Sequence, residues 1–435
     1  MSRRPNFIFV LADDLGYADL GCTGSREPVS PQIDRLAAEG LLFSNGYANS
    51  SLCSPTRFAL ITGRYQYRLR GAAEEPLSGH ARGSGTLGLP PEHPTLPSLL
   101  RDAGYHTALI GKWHLGYLPH FGPLKSGYQS FFGPMSGGVD YFKHCGFGGR
   151  PDLWDGEQPV DGGGRYLTDL LSDRAVRFIE EQPADEPFLL SLHYTAPHWP
   201  WETRDDAAEA QRIDGRIVHL DGGSIETYRR MIHQMDEGIG RVMAALASRG
   251  LADDTLVVFT SDNGGERFSD NWPFAGQKMD LLEGGIRVPL IARWPARIRP
   301  GRSATPALSM DWAPTMLAAA GVPQGASYPM DGVDLTPLFD DPHWSPVRDL
   351  HWRMLHRQQR ATRSGNWKYL SVDGHDFLFN LSCDARERAN LAVREPARLN
   401  DLRERWLAWA AGMPGIPDDA VVVKVYGEAD MVRPT

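Results

Sequence analysis

The stretch NFIFVLADD, residues 6–14, decides the fold class of this chain. Its apolar run predicts a short strand that is buried on both faces, because a solvated face would carry polar residues at every second position. Strands of this kind belong to sheets that helices cover on either side. Two aspartates follow at once, so polar groups stand at the carboxyl end of the strand, where α/β proteins bind their ligands.

Four further runs have the same character and also end in polar loops: YHTALIG (105–111), PFLLSLHY (187–194), TLVVFTS (255–261) and VPLIARW (288–294). Amphipathic helical patterns lie between the runs, at residues 30–40, 166–182 and 225–250. The first of these has a serine, a proline and a closing glycine at the positions that helix ends favour. Because strands alternate with helices, we predict an α/β domain whose central sheet is layered by helices.

The sequence changes character near residue 346. NWKYLSVDGHDFLFNLS (366–382) alternates in the manner of paired antiparallel strands, and EPARLNDLRERWLAWAAG (395–412) predicts one amphipathic helix. With 435 residues the chain is also too long for one ordinary core. We therefore predict a large domain at residues 1–345 and a small C-terminal α+β subdomain at residues 346–435.

The composition restricts the classes of partner. A net charge of −9 argues against a general binder of nucleic acid or of an anionic membrane, because both partners are negative. The four cysteines are scattered and have no zinc-binding spacing. The N-terminal apolar run is short and ends in aspartates, without a small-residue cleavage site, which predicts a cytoplasmic protein. A chain trimmed of its leader would have the same sequence and would be periplasmic.

Polar side chains follow four of the predicted strands and are expected to meet at one edge of the sheet. They are Asp13 and Asp14 after the first strand, Lys112 and His114 after the second, His198 after the third, and Asp262 and Asn263 after the fourth. Carboxylate and amide oxygens suit Ca²⁺ or Mg²⁺ better than Zn²⁺, and the cations suit an anionic substrate. Either acidic pair taken alone is better explained as a helix cap or a turn. Together the residues predict a site for a metal and an anion.

The stretch SLCSPTR, residues 51–57, places a cysteine among small polar residues and next to an arginine. Ser54 suits a helix cap, Pro55 suits the first helical position, and Gly63 suits the end of the helix. Cys53 would then face the positive end of a helix dipole, a position that lowers the pKa of a thiol and also holds an anion. This setting predicts a chemical role for Cys53.

The stretch CSPTRFALITG (53–63) resembles the signature of the sulfatase family, Cys-x-Pro-x-Arg followed by Thr-Gly. Five other segments resemble that family's blocks in the same order, and they contain ADDLG, GKWHLG, TAPHWPW, SDNGG and GQKMDLLEGG. The chain is thus similar to the formylglycine-dependent type I sulfatases, above all arylsulfatases and N-acetylgalactosamine-6-sulfatases. This resemblance implies an alkaline-phosphatase-like fold, a sulfatase catalytic domain at residues 1–345, and hydrolysis of an aryl or sugar sulfate monoester.

The resemblance also implies a role for each site residue. In this family the cysteine is oxidised after translation, by a formylglycine-generating enzyme, to an aldehyde whose hydrate is the nucleophile. Ca²⁺, with Mg²⁺ as the alternative, would be held by residue 53 together with Asp13, Asp14, Asp262 and Asn263. Arg57 would hold the hydrate and Lys112 would neutralise it, His114 would be the base that releases sulfate, and His198 and Lys278 would grip the sulfate and its leaving oxygen. Only the resemblance supports Lys278.

Three other functions stay open at this point. Relatives with this nucleophile also hydrolyse phosphonate monoesters or phosphodiesters, which makes such a hydrolase the first alternative. The second alternative is a non-catalytic anion-binding protein, in which Cys53 is never oxidised. The third is a hydrolase that uses the Cys53 thiolate as nucleophile, but it offers no explanation for the aspartates. The expected partner is a small sulfate ester in a pocket walled by loops 64–93 and 118–165. The aromatic and histidine residues assigned to that wall are Tyr141, Phe142, His144, Trp199, Trp201 and Trp272. The sequence indicates no oligomeric state.

Overall fold

The computed structural model describes residues 4–183, 185–325 and 327–424. Its strands are β1 Asn6–Ala12, β2 Leu41–Phe43, β3 Gly46–Tyr47, β4 His106–Gly111, β5 Ser130–Gly133, β6 Trp154–Asp155, β7 Gln158–Pro159, β8 Phe188–His193, β9 Thr255–Ser261, β10 Leu290–Arg293, β11 Gly301–Ser303, β12 Ala307–Leu308, β13 Asp349–Arg353, β14 Arg360–Ser364, β15 Trp367–Val372 and β16 His375–Asn380. Its α-helices are α1 Pro31–Glu39, α2 Cys53–Thr62, α3 Leu96–Asp102, α4 Leu167–Glu181, α5 Ala207–Ile213, α6 Ile225–Ser248, α7 Glu283–Ile286, α8 Trp312–Ala320, α9 Pro337–Asp340 and α10 Pro396–Ala411.

A ten-stranded mixed sheet forms the centre of the protein, in the order β11-β2-β10-β9-β1-β8-β4-β5-β6-β7. The five strands from β9 to β5 in that order are parallel to one another. Strand β10 runs antiparallel to both of its neighbours, β9 and β2. The α/β fold class that the sequence predicts is therefore confirmed, and the antiparallel strand makes the sheet a mixed one.

Strand β1 is apolar from Phe7 to Ala12, and the packing of these residues explains why. Phe7, Phe9 and Leu11 belong to one buried cluster, and the alternate residues belong to another. The second cluster also contains residues of α1, α4 and α6, whereas the first contains residues of α2, α3 and α8. Since successive side chains of a strand point to opposite faces, helices on both sides leave no position for a polar residue.

The C-terminal part contains a second sheet of four antiparallel strands, β13 to β16 in chain order. The pattern at 366–382 predicted β15 and β16, and the amphipathic stretch at 395–412 predicted α10. Helix α10 packs on this sheet through Leu402 and Trp406, and the indole of Trp406 donates to the carbonyl of Trp352 at 3.0 Å. Residues 425–435 of the predicted subdomain lie outside the described residues.

An apolar cluster joins the four-stranded sheet to the larger part of the chain, and it includes Tyr47 and Leu52 on one side and Trp352 and Leu370 on the other. A buried charge cluster lies beside it. The ammonium of Lys368 on β15 lies 2.9 Å from a carboxylate oxygen of Glu283 and 2.8 Å from one of Glu387, and all three side chains are buried. The small subdomain is therefore joined to the large one by apolar packing and by a buried ion cluster.

We expect Lys368→Met to lower the free energy of unfolding by about 3–5 kcal/mol, because it removes the ammonium that contacts both buried carboxylates and leaves Glu387 without its cation. Chemical denaturation measures this loss. Lys143→Met is the matched control, since Lys143 makes a 2.8 Å surface pair with Asp214, whose side chain is 83% exposed. That change should stay within about 1 kcal/mol. Equal stability of Lys368→Met and the unchanged protein would contradict the assigned role of Lys368.

Among the residues that the structure describes, no helix is both long enough and apolar enough to cross a membrane.

Candidate active site

The site lies at the carboxyl ends of four adjacent parallel strands, β9, β1, β8 and β4. The side chains that the sequence placed after these strands are all buried there: Asp13, Asp14, Lys112, His114, His198, Asp262 and Asn263. They come together because parallel strands end at the same edge of a sheet. Lys278 joins them from the loop between β9 and β10. Helix α2 brings Cys53 and Arg57 to the same edge.

Helix α2 begins differently from the sequence-based expectation. It starts at Cys53, with Leu52 as the extended residue before it, so the helix does not begin at Pro55. The Ser54 hydroxyl does not cap the helix, because it accepts a hydrogen bond from the backbone of Leu77 at 2.9 Å. Gly63 ends the helix in the left-handed conformation, with φ 66°, as predicted. Cys53 is therefore the first helical residue and not a residue in front of the cap.

The thiol of Cys53 is 1% exposed and lies against two carboxylates. Its Sγ donates to Asp13 Oδ1 at 3.3 Å and lies 3.8 Å from Asp14 Oδ1. Burial, with the charges of Asp13 and Asp262, raises the pKa of this thiol well above its usual value. The expectation of a lowered thiol pKa is therefore wrong, because burial and the aspartates outweigh the helix end and the nearby lysines. An unmodified Cys53 would be a protonated thiol and a poor nucleophile.

Oxygen ligands for a cation surround Cys53. One potential ligand atom from each of Asp13, Asp14, Cys53 and Asp262 lies within 4.8 Å of the others. Asn263 donates through Nδ2 to Asp14 Oδ1 at 2.7 Å, whereas its buried Oδ1 has no hydrogen-bond partner among the described residues. A buried amide oxygen without a partner beside three carboxylates fits a hard divalent cation. The residues present therefore suit Ca²⁺ or Mg²⁺ in number and in chemistry.

Two buried cations offset part of the negative charge of the aspartates. The Arg57 guanidinium donates to Asp262 Oδ2 through Nε at 3.0 Å and through Nη2 at 2.8 Å. It also lies 3.4 Å from Asp13 and donates to the backbone carbonyl of Lys112 at 3.1 Å. The Lys112 ammonium donates to Asp13 Oδ2. Both cations therefore contact carboxylates of the cluster and hold them in place.

His114 presents an unprotonated nitrogen. Its Nε2 lies 2.6 Å from the carbonyl of Leu77, so this nitrogen carries the proton and donates it. Its Nδ1 is buried and has no partner within the described parts of the chain. Burial and the charges of Lys112 and Arg57 lower the pKa of His114 well below its usual value. The imidazole is therefore neutral at pH 7 and can accept a proton at Nδ1.

His198 and Lys278 both lie near the carboxylate of Asp14. Lys278 Nζ donates to Asp14 Oδ2 at 2.7 Å and lies 3.2 Å from Glu266. Burial opposes its charge, but Asp14 and Glu266 outweigh this effect and raise the pKa of the ammonium well above its usual value. His198 Nδ1 bonds to the carbonyl of Trp199 at 2.6 Å, and burial lowers the pKa of this imidazole. Lys278 therefore keeps its proton at pH 7, and His198 is neutral.

A cavity of about 490 Å³ opens over Cys53, His114, His198 and Lys278. Both predicted loops contribute to its wall, the first through Pro76–Gly79 and the second through Ser136, Gly137 and Phe147. Of the six side chains assigned to the wall, only Trp199 lines the cavity. Tyr141, Phe142 and Trp201 are packed in the core, His144 bonds to the carbonyl of Arg165, and Trp272 lies on the surface against Arg386. These five assignments are wrong because aromatic content alone does not distinguish a core side chain from a pocket wall.

Several residues around the site were not predicted from the sequence. Glu266, three residues after Asn263, contacts Lys278 and accepts a hydrogen bond from the Trp199 indole at 3.2 Å. Its place in the stretch SDNGGE, close to Asp262 and Asn263, could have indicated that it lies near the site. The hydroxyl of Tyr228 donates to the carboxylate of Asp19 at 2.6 Å and lies 3.2 Å from the backbone carbonyl oxygen of Asp14. The backbone of Asp14 is left-handed, with a φ of 62°. No local pattern marks Tyr228, which lies in the first turn of α6.

Comparison with known families identifies the family of this chain. The family described as Sulfatase matches residues 5–322 of this chain. The chain belongs to the sulfatase family, whose named members arylsulfatase A and N-acetylgalactosamine-6-sulfatase are sulfuric ester hydrolases. The predicted family is therefore confirmed.

Three similar proteins define the extent of this likeness. Human N-acetylgalactosamine-6-sulfatase is 35% identical over 366 residues, which cover 77% of this chain and 66% of that protein. Human arylsulfatase A is 33% identical over 435 residues, which cover 92% of this chain and 82% of that protein. The crystal structure of Ps i-CgsB in complex with k-i-k-neocarrahexaose has a TM-score of 0.84 and 31% identity, and the match covers 95% of this chain and 94% of that one. The chain thus spans about two thirds of the first relative and most of the other two.

Proposed function

We propose that this protein hydrolyses a sulfate monoester, aryl or sugar, to an alcohol and inorganic sulfate. One observation carries the proposal: Cys53 of the sulfatase signature lies against Asp13 and Asp14 at the floor of a cavity that His114, His198 and Lys278 also line. Such a cavity combines a modifiable side chain, ligands for a metal, a neutral base and a cation. These are the groups that displacement at the sulfur of an anionic ester requires.

A divalent cation, Ca²⁺ in preference to Mg²⁺, would be held by Asp13, Asp14, Asp262, Asn263 and the side chain at position 53. When bound, it would mask the negative charge of the sulfate group. Oxygen ligands with three carboxylates support Ca²⁺, which accepts more ligands and a less regular geometry than Mg²⁺. Arg57 and Lys112 would keep Asp13 and Asp262 oriented toward the ion.

Position 53 would be occupied by formylglycine, which a formylglycine-generating enzyme would produce from Cys53 during maturation. The hydrate of this aldehyde supplies two hydroxyl groups, one to attack sulfur and one to lose a proton when sulfate is released. Cys53 fits the modification because its side chain lies at the cavity floor between the metal ligands and the helix end. Arg57 and Lys112 lie close enough to the same carboxylates to stabilise negative charge there.

His114 would act as the base at position 53. It needs an unprotonated nitrogen in the cavity, and Nδ1 meets this requirement because Nε2 is committed to the carbonyl of Leu77. The lowered pKa of His114 keeps that nitrogen free of a proton at neutral pH. Lys278, which is protonated, would donate a hydrogen bond to the departing oxygen. His198 would help to hold the sulfate group through Nε2 once that nitrogen is protonated, because Nδ1 is committed to the carbonyl of Trp199.

The substrate class is tested by comparing kcat/KM for an aryl sulfate, a sugar 6-sulfate, an aryl phosphonate monoester and a sulfated oligosaccharide. We expect the small sulfates to be best. A phosphonate monoester needs room for a carbon substituent on phosphorus where a sulfate has an oxygen, and the chain has no tract of Lys and Arg to hold a string of sulfates. A preference for the phosphonate would favour the phosphonate hydrolase instead. A preference for the oligosaccharide would contradict the expectation of a small substrate.

A further inference from the structure

The outer wall of the cavity includes residues from the end of the described chain. We name residues 414–424 the C-terminal strap; Val423 and Lys424 of the strap line the cavity. The strap pairs with Glu75, whose backbone N–H donates to the carbonyl of Val421 and whose carbonyl accepts from the N–H of Val423, both at 2.9 Å. Asp419 of the strap also lies 2.9 Å from the guanidinium of Arg70. The strap is therefore attached to the large domain beside the site.

Glu75 also fixes a second part of the wall. Its buried carboxylate accepts hydrogen bonds from the backbone N–H groups of Leu355 at 2.7 Å and of His356 at 2.8 Å. His356 follows β13 in the small subdomain and lines the same cavity. One residue of the large domain thus positions both the strap and the His356 loop, through its backbone and through its side chain respectively.

This wall carries a positive charge that the chemistry at position 53 does not use. Within residues 4–183, 185–325 and 327–424, no carboxylate forms an ion pair with Lys424, whereas Lys278 is paired with both Asp14 and Glu266. Burial and the charges of Lys424 and Arg357 lower the pKa of His356. His356 is therefore a neutral hydrogen-bonding group, and Lys424 supplies the charge of this wall.

The space between this wall and position 53 suits a ring. Trp199 and Phe147 meet edge to face with ring centroids 5.7 Å apart, and both line the cavity. Tyr117, Leu77 and Val423 add further aromatic and apolar surface. Flat apolar walls bind the faces of aryl and sugar rings, and a volume of about 490 Å³ exceeds what a sulfate group alone occupies.

We propose that the leaving group of the substrate is a ring alcohol that carries a second anionic substituent, a carboxylate or a second sulfate, bound by Lys424 together with His356. The inference rests on the proposed sulfatase function and adds the class of leaving group to it. The ring lies against Trp199 and Phe147, and the second anion reaches the strap. One added lysine binds one further anion, in agreement with a small substrate.

The experiment compares two aryl sulfates that differ only in charge, 4-(carboxymethyl)phenyl sulfate and its carboxamide. The two phenols are similar leaving groups, so a difference in kcat/KM between the two esters measures the effect of the second anion. We expect kcat/KM to favour the carboxylate about tenfold, as for one hydrogen bond to a charged group. Lys424→Met should abolish this ratio through KM while kcat for the carboxamide is retained, and Lys424→Glu should invert it. Lys125→Met, which removes a surface lysine paired with Glu157, should preserve the ratio.

A second pair, N-acetylgalactosamine 6-sulfate and 4,6-disulfate, distinguishes a sulfate from a carboxylate as the second anion. The ratio of kcat/KM for the substrate with the second anion to that for the substrate without it should change in both Lys424 variants. If the enzyme hydrolyses these esters and the ratio is the same in the unchanged protein and in both variants, the inference is wrong and the proposed function stands. An enzyme that hydrolyses no sulfate ester overturns the proposed function and the inference with it.

Discussion

Cys53→Ala is expected to abolish turnover of sulfate esters, with a loss in kcat on the order of 10³ or more, as for removal of an enzyme's nucleophile. The side chain removed is the one that lies against Asp13 and Asp14 at the cavity floor. The fold should persist, because alanine fits the first turn of α2 and the thiol makes hydrogen bonds only to Asp13 and Asp14 within the described chain. Initial rates and a thermal melt measure the two effects.

Cys53→Ser tests whether catalysis needs the modified residue or only a nucleophilic side chain at position 53. A serine offers one hydroxyl and no second one, so we expect at most one turnover per molecule, detectable as a stable sulfate ester on the protein. In the unchanged protein from a host that performs the oxidation, the peptide containing residue 53 should carry an aldehyde that reacts with a hydrazide. Full activity in protein whose residue 53 is entirely thiol would disprove the assignment.

Asp14→Asn is expected to remove the bound divalent cation and, with it, most of the activity. Asparagine accepts the left-handed φ of 62° at this position, so the backbone can stay as it is. The loss of a carboxylate ligand should exceed the roughly 10- to 100-fold that loss of an outer hydrogen-bond partner costs a metal site. Metal analysis of the purified protein should find about one divalent ion per chain in the unchanged enzyme and much less in the variant.

Asp236→Asn is the control for loss of a buried carboxylate. Asp236 accepts from the backbone N–H groups of Gln32 at 3.0 Å and of Ile33 at 2.8 Å, at the start of α1 and outside the site. This variant should unfold more easily but keep its metal. Activity lost to a chelator should return with Ca²⁺ and less completely with Mg²⁺. Active enzyme without any divalent ion would refute the metal assignment.

The strands and the strand-end residues could be predicted from sequence because each depends on a local pattern. Strands β1 and β9 agree with their apolar runs residue for residue. Strand β10 is shorter than the run at 288–294, because the N–H of Val288 bonds to Gly46 and not to the neighbouring strand of the sheet. Asp13 and Asp262 directly follow predicted strands, so it could be inferred that they meet at one edge of the sheet.

The rest of the site depends on contacts between distant segments. The pKa of Cys53 is set by burial and by two aspartates that are far away in sequence, so the local helix signal led to the wrong direction. Lys278 comes from an irregular loop, and only a family block suggested it. The strap with Lys424 has no recognisable sequence pattern. It lies beside the site because it pairs with Glu75, more than 300 residues earlier in the chain.

The complete burial of α2 also has a consequence for the time at which residue 53 can be modified. All ten residues of the helix are buried, so an enzyme that oxidises Cys53 cannot reach it in the finished protein. Phe58 of this helix packs in a cluster with Val258 and Trp312, which the ribosome adds 200 and 254 residues later. At about 5–20 residues per second, that interval lasts roughly 10–50 s. Maturation and folding therefore compete, and faster synthesis in a host with little oxidising enzyme should yield a larger inactive fraction.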